Sequence, residues 1–253
     1  MRPAELRRAL QLGWPLLLPT GSVEYHGPHL PLGVDTVLTQ ELCRRVALRI
    51  DAVIAPALAY GPTGYAVSGP DQGTVDVSTE RFGRHAKDVL TSLWDIGFRW
   101  IIVVQHHQQL DGPEALAIRQ AASEVIFERA LQERGPGWWG RAPTDPGDNA
   151  FQRIQLWPSV LPPADQIVRL ADHAGFYETA LMLGCAPELV ALERLGMDGP
   201  WFTATKDSRA RDATPPQGAA MWDAMTAAWV SALQKLTKPP RPTPDQLTVT
   251  GLF

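Results

Sequence analysis

The chain has 253 residues, 45% of them hydrophobic, with 23 lysines and arginines against 27 aspartates and glutamates, for a formal net charge of −4. That length and apolar content are enough for a substantial core, and one large α/β domain over 1–253 is the economical reading. Without a basic excess there is no electrostatic case for nucleic acid or an anionic membrane, so the expected partner is a small molecule.

The N-terminal stretch "MRPAELRRALQLGWPLLLP" is charged at its start but lacks a long apolar core with a small-residue cleavage site, so secretion is not expected. Nor does any apolar run reach the roughly 18 residues of a membrane span. "PLLLPTG" reads as a buried strand, and the helical pattern "DTVLTQELCRRVALRI" follows, with Val37, Leu38, Leu42, Val46 and Ile50 on one face. "AVIAPALAY" reads as a second strand. Ser78 is the expected N-cap of a helix that turns Phe82, Val89, Leu90 and Leu93 inward. "RWIIVV" at 99–104 is the clearest strand, and Pro113 opens the next helix where a first-turn proline is tolerated.

The stretch 135–165 breaks this rhythm with glycine, proline and three tryptophans, and is expected to be an irregular lid over a site or an interface arm. A last helix, "PQGAAMWDAMTAAWVSALQKL", precedes a Pro-rich tail at 237–253. Cys43 and Cys185 each sit in an apolar helical segment, so they read as structural thiols in a reduced, cytoplasmic setting. Strands alternating with helices of this length predict a mainly parallel sheet covered on both faces, with the ligand site beyond the carboxyl ends of the strands.

Three clusters fall at such places. In "LLLPTGSVEYHGPHLPLGVDT", Glu24 and His26 project to the same side if the chain is extended, and the stiff "GPHLPLG" excursion can bring Asp35 back to the strand end. Two carboxylates and an imidazole suit a divalent ion such as zinc or manganese, although Asp35 could equally cap a helix starting at Thr36. His29 reads as a hydrogen-bonded structural histidine. The second cluster, "QHHQQL", places His106 and His107 straight after the best strand. The third, "ADHAGFYETALML", places Asp172 and His173 before a helical run that carries Glu178, where an acid could instead serve the helix dipole.

The first stretch resembles the opening motif of the creatininase family, Pro-x-Gly-Ser-x-Glu-Gln-His-Gly-Pro-His-Leu-Pro-Leu-x-x-Asp, with Tyr25 in place of the usual glutamine. "GTVDVS", "DHAGFYETALML" and "DATPPQGAAMWDAM" resemble further family segments, so the likeness covers roughly residues 15 to 235. One motif departs: most relatives carry Asn-Gly-His-Gly-Gly-Asn where this chain reads "QHHQQL". Creatininase itself has a ligand glutamate at the position of Gln109, so Glu178 is the candidate replacement carboxylate.

The resemblance implies a three-layer α/β/α fold with a mainly parallel sheet. It also implies two divalent metal ions, zinc foremost with manganese or iron as alternatives: Glu24 and His107 on one, His26 and Glu178 on the other, Asp35 bridging. His173 matches the family's catalytic histidine. His106, Gln109, Tyr177 and Trp157 are the expected substrate contacts, with Trp138, Trp139 and Tyr65 as further wall candidates.

The implied reaction is attack of metal-activated water on a small amide, cyclic amide or related C–N compound, with His173 passing a proton to the leaving nitrogen. Family members also include hydrolases of formamides, enzymes opening carbocyclic keto-sugars and peptide-trimming proteins. A metal-dependent hydrolase, lyase or isomerase acting on a cyclic keto compound, or a non-catalytic binding subunit, is therefore the alternative. A closed homo-oligomer, a hexamer by analogy, is expected.

Overall fold

The computed structural model describes residues 1–141, 149–169, 172–198 and 209–237. Among these, β1 (Leu16–Pro19), β2 (Val53–Ile54), β3 (Ile101–Gln105) and β4 (Ile154–Pro158) form a parallel sheet in the order β2-β1-β3-β4. The central pair is in register from Leu16↔Ile101 to Pro19↔Val104. Both of these strands are buried along their whole length, which is why their sequences are unbroken apolar runs rather than alternating ones.

Successive strand residues point to opposite faces. Leu16, Leu18, Ile101 and Val103 pack with residues of α1 (Pro3–Gln11), α3 (Thr79–Ile96) and α4 (Pro113–Arg134), among them Ala9, Phe82, Leu90 and Ile118. Leu17, Ile102 and Val104 pack on the other side against α2 (Val34–Ala47), α5 (Phe176–Cys185) and α6 (Pro215–Thr237), through Leu38, Leu42, Leu181 and Trp222. The result is the expected three-layer α/β/α arrangement. Each fully buried Leu or Ile contributes about 1.5–3 kcal/mol of transfer free energy to it.

Local signals in the sequence explain the helix ends. Ser78 caps α3 by accepting from the Arg81 N–H, a contact worth about 1 kcal/mol, and Gly97 ends the helix with φ of 108°. Pro113 occupies the first turn of α4. On the far side, α5 and α6 meet at glycine: a Cβ on Gly218 would lie 1.8 Å from the Ala180 carbonyl oxygen. This contact fixes α5, the helix that carries Glu178.

Three expectations are corrected. The strand expected at 52–60 pairs only over Val53–Ile54, with one further bridge at Leu58: Val53 and Ala55 N–H donate to the Pro15 and Leu17 carbonyls, but the next donor to β1 is Leu58 instead of Ala57, so the register slips by one residue after Pro56. Asp35 does not cap α2; Gly33 does, and Asp35 lies inside the first turn. The irregular stretch 135–165 contains β4, paired with β3 from Ile101↔Ile154 to Gln105↔Pro158. Residues 142–148 of that stretch, and the tail from 238, lie outside the described residues.

The chain leaves β1 for β2 on one side of the sheet, while β3 passes to β4 on the other. Beyond the carboxyl ends of β1 and β3 this reversal opens a crevice, the usual ligand position in an open parallel sheet.

Candidate metal centre

The segment after β1 is folded onto that crevice by its own backbone. Thr20 N–H donates to the Val104 carbonyl at 2.9 Å, and Glu24 N–H donates to the Leu32 carbonyl at 2.9 Å. The second bond closes the Gly/Pro excursion and sets Asp35 beside Glu24, as the stiff spacing predicts. His107 arrives just past the end of β3, and Glu178 from the first turn of α5. All of them, with His26, are buried.

Asp35 faces two ways. Its Oδ2 lies 3.1 Å from His107 Nδ1 and its Oδ1 3.7 Å from His26 Nε2. Glu24 Oε2 stands 3.4 Å from the same His107 nitrogen, and Glu178 Oε2 stands 3.6 Å from the same His26 nitrogen. Two donor groups therefore share Asp35: Glu24, Asp35 and His107, and His26, Asp35 and Glu178. A third set joins Glu24, His26 and His173.

The backbone orients each ring. His26 Nδ1 lies 2.9 Å from the Glu24 carbonyl, His107 Nε2 3.1 Å from that of Pro62, and His173 Nε2 2.8 Å from that of Tyr25. A carbonyl can only accept, so these nitrogens carry the N–H and the opposite nitrogen of each ring faces the carboxylates. His26 Nε2 is buried with no hydrogen-bond partner. An orphaned imidazole nitrogen among three carboxylates is the donor chemistry of a divalent cation site of the zinc or manganese kind, and these residues fit one.

The electrostatics agree. Burial would lower His26 and His107, but Asp35 and the other carboxylates raise them to about 9 and about 10. Burial would raise Asp35, yet His107 and His26 hold it well below the usual carboxylate range, and His106 and His26 hold Glu178 low. Glu24 is pushed by burial up to about 7. Protons on His26 and His107 thus neutralise the carboxylates in the place that cations would take. His173 is kept below its ordinary value by burial and by His26, whose ring lies 4.1 Å away centroid to centroid.

A family model described as creatininase, creatinine amidohydrolase, matches residues 1–233. The chain belongs to the creatininase family. It is 30% identical over 188 residues to the creatinine amidohydrolase of Pseudomonas putida, a match covering 71% of this chain and 67% of that protein. It is also 30% identical over 199 residues to the mycofactocin precursor peptide peptidase of Mycobacterium ulcerans, covering 72% of this chain and 63% of that one. A solved structure described as creatininase with Mn superimposes with a TM-score of 0.74 at 22% identity, over 95% of this chain and 97% of the other.

Within this creatininase-family fold, an opening of about 210 Å³ lies over the cluster and is lined by Glu24, Asp35, Ala66, Val67, His106, His107, Gln108, Gln109, His173 and Glu178. His106 and Gln109, two of the expected substrate contacts, are therefore at the opening. Tyr177 and Trp157 are not among its lining residues: Tyr177 packs edge-on to Phe176, and the Trp157 ring lies 5.3 Å from Trp229. Trp138 packs on Phe127 and Phe151, next to α4, and Trp139 is largely exposed. Tyr65 is exposed beside the lining residue Ala66. His29 bonds Thr179 Oγ1 at 3.0 Å, as a structural histidine should.

Four further residues surround the cluster without having stood out in the sequence. Ser22 Oγ donates to Asp35 Oδ2 at 2.6 Å. Ser159, just past β4, bonds His106 Nδ1 at 2.7 Å. Gln108 has a φ of 62°, and its side chain donates to the Pro62 carbonyl at 3.0 Å while accepting from Glu114 N–H at 3.2 Å. Glu114, in the first turn of α4, is fully buried with neither carboxylate oxygen hydrogen-bonded, and burial pushes it up to about 7. Ser22 and Gln108 lie inside the quoted motifs around Glu24 and His107, whereas Ser159 and Glu114 fall outside all three clusters.

Proposed function

We propose that this chain is a metal-dependent hydrolase of a small amide, cyclic amide or related C–N compound, with two divalent cations held on either side of Asp35. The supporting observation is that Asp35 turns one carboxylate oxygen to each of two donor groups. Glu24 and His107 would hold one cation, His26 and Glu178 the other, with zinc the first candidate and manganese or iron next.

Two such cations supply an activated water and polarise the carbonyl it attacks. The protein's own part is orientation and proton transfer. His173 donates Nε2–H to the Tyr25 carbonyl and presents Nδ1 to the cluster, 3.8 Å from Glu24 Oε2. A lowered pKa keeps that ring neutral near pH 7, so Nδ1 can take a proton and deliver it to a leaving nitrogen. Gln109 at the opening offers a polar contact to the substrate, while His106 lines it with both ring nitrogens engaged by Ser159 and Glu178, and about 210 Å³ admits a small molecule more readily than a drug-sized one.

Among the relatives, one acts on creatinine and another on a precursor peptide, as their names say. Both reactions break C–N bonds, which supports the bond type while leaving the substrate open. A cytoplasmic location and a closed homo-oligomer, a hexamer in the family pattern, complete the reading; sedimentation of the purified chain tests the last. The functional test is hydrolysis of a panel of small amides, cyclic amides and short peptides by protein loaded with zinc or manganese. The expected result is a new carboxylate, with amine or ammonia released from linear amides and the nitrogen retained in the ring-opened product of cyclic ones, and its formation is abolished by chelation.

A further inference from the structure

The turn after β3 departs from the glycine-rich pattern, and its first histidine makes two contacts that a glycine could not. His106 Nε2 lies 3.2 Å from Glu178 Oε1, and its Nδ1 lies 2.7 Å from Ser159 Oγ. Ser159 is itself fixed: its N–H donates to the Gln105 carbonyl at 2.7 Å, and its carbonyl accepts from Trp229 Nε1 at 2.8 Å. His106, Ser159 and Trp229 are all buried.

Among the described residues, Glu178 is otherwise held by one donor, the Ala174 N–H, on Oε2 at 2.5 Å. That same oxygen faces His26 Nε2 at 3.6 Å. With Oε1 tied to His106, the carboxylate plane is fixed and Oε2 stays turned toward His26 and Asp35. In the tautomer with the proton on Nε2, Nε2–H donates to Glu178 and Nδ1 accepts from Ser159 O–H, so the serine favours the tautomer the carboxylate needs.

We propose that His106 is a positioning residue, oriented by Ser159, that sets the Glu178 carboxylate for the cation shared with His26 and Asp35. This rests on the ligand assignment proposed above. It gives the histidine in "QHHQQL" a role beneath the metal site, where an aromatic ring replaces the backbone freedom of glycine with a fixed hydrogen-bond donor. Outer-layer partners of this kind typically change metal affinity by about 10–100-fold when removed.

The test is titration of the metal-stripped full-length protein with Zn²⁺ and Mn²⁺, by calorimetry with a competing chelator, on wild type, His106→Ala, His106→Gln, Ser159→Ala and Glu178→Gln. His106→Ala is expected to weaken one of two binding steps by about 10–100-fold and leave the other within a few-fold. Ser159→Ala should weaken the same step less, and adding it to His106→Ala should change little. His106→Gln, which can still donate to Oε1, should recover part of the loss.

If Glu178→Gln loses a step while His106→Ala and Ser159→Ala keep both at wild-type affinity, the positioning role is wrong and the ligand assignment stands. If Glu178→Gln itself keeps both steps, the assignment of Glu178 fails and this inference with it. Should His106→Ala not fold, His106→Gln and Ser159→Ala decide the matter by the same comparison.

Discussion

Asp35 Oδ2 lies 3.1 Å from His107 Nδ1, and the two residues come from different elements, one from the first turn of α2 and the other from just past the end of β3. The hydroxyl of Ser22 donates to the same oxygen at 2.6 Å. The bond between His107 Nε2 and the Pro62 carbonyl leaves Nδ1 for the carboxylates. This pairing joins the first and second sequence clusters, and from it follow several measurable consequences.

His173→Gln should lower kcat by about 10²–10⁴-fold, the usual contribution of a general acid or base, while the metal content stays at the wild-type level. Turnover and elemental analysis on the same sample check it. Loss of metal in proportion to activity would make His173 a ligand instead, through the set it forms with Glu24 and His26.

Cation binding should release protons. In the protein alone, His26 and His107 are raised to about 9 and about 10, so both are protonated at pH 7 and must lose those protons to bind a metal. Calorimetry in buffers of different ionisation enthalpy should show net proton release at pH 7 that shrinks as the pH passes 9. The same shifts give the sign for the metal-free fold. Histidines raised in the folded state contribute stability that is full below their unfolded pKa of about 6.5 and is lost as pH rises through 9 to 10.

Glu114→Gln should flatten the pH dependence of stability on the acidic side. Burial raises the folded-state pKa of Glu114 from 4.5 to about 7, so its contribution is intact below 4.5 and disappears as the pH climbs to 7. A shift of that size corresponds to about 3 kcal/mol. Chemical denaturation of the metal-free protein at pH 5 and pH 8 should show a smaller fall for the variant than for wild type.

Gly218→Ala should destabilise the fold by about 1–3 kcal/mol, because the added Cβ would meet the Ala180 carbonyl oxygen at 1.8 Å across the α5–α6 contact. Since α5 carries Glu178, metal affinity should fall as well. Thermal melts with and without zinc separate the two effects: a smaller metal-induced rise in Tm than in wild type is expected.

The central strands were legible in the sequence because full burial leaves an unbroken apolar run, as in Leu16–Leu18 and Ile101–Val104. Ser78 and Pro113 marked their helices for equally local reasons. β4 was hidden because it is a five-residue run ending in Pro158 inside a stretch dominated by glycine and proline, and its pairing is decided by β3, a distant segment. The same limit applies to the site. Glu24, His26 and Asp35 could be grouped from spacing and motif, whereas Ser159 and Glu114 reach His106 and the His107 side of the centre only through tertiary contacts. Trp157, expected as a pocket wall, is half-buried with its ring 5.3 Å from that of Trp229, a contact with α6 that no local pattern encodes.

The most direct measurement is metal content per subunit, by elemental analysis, on wild type, Asp35→Ala and Glu178→Ala protein purified without chelator and confirmed folded by circular dichroism. Two divalent ions are expected in wild type, with loss of both or nearly both in Asp35→Ala and loss of about one in Glu178→Ala. Wild-type protein that neither retains metal nor gains thermal stability on addition of zinc or manganese would contradict the two-cation centre.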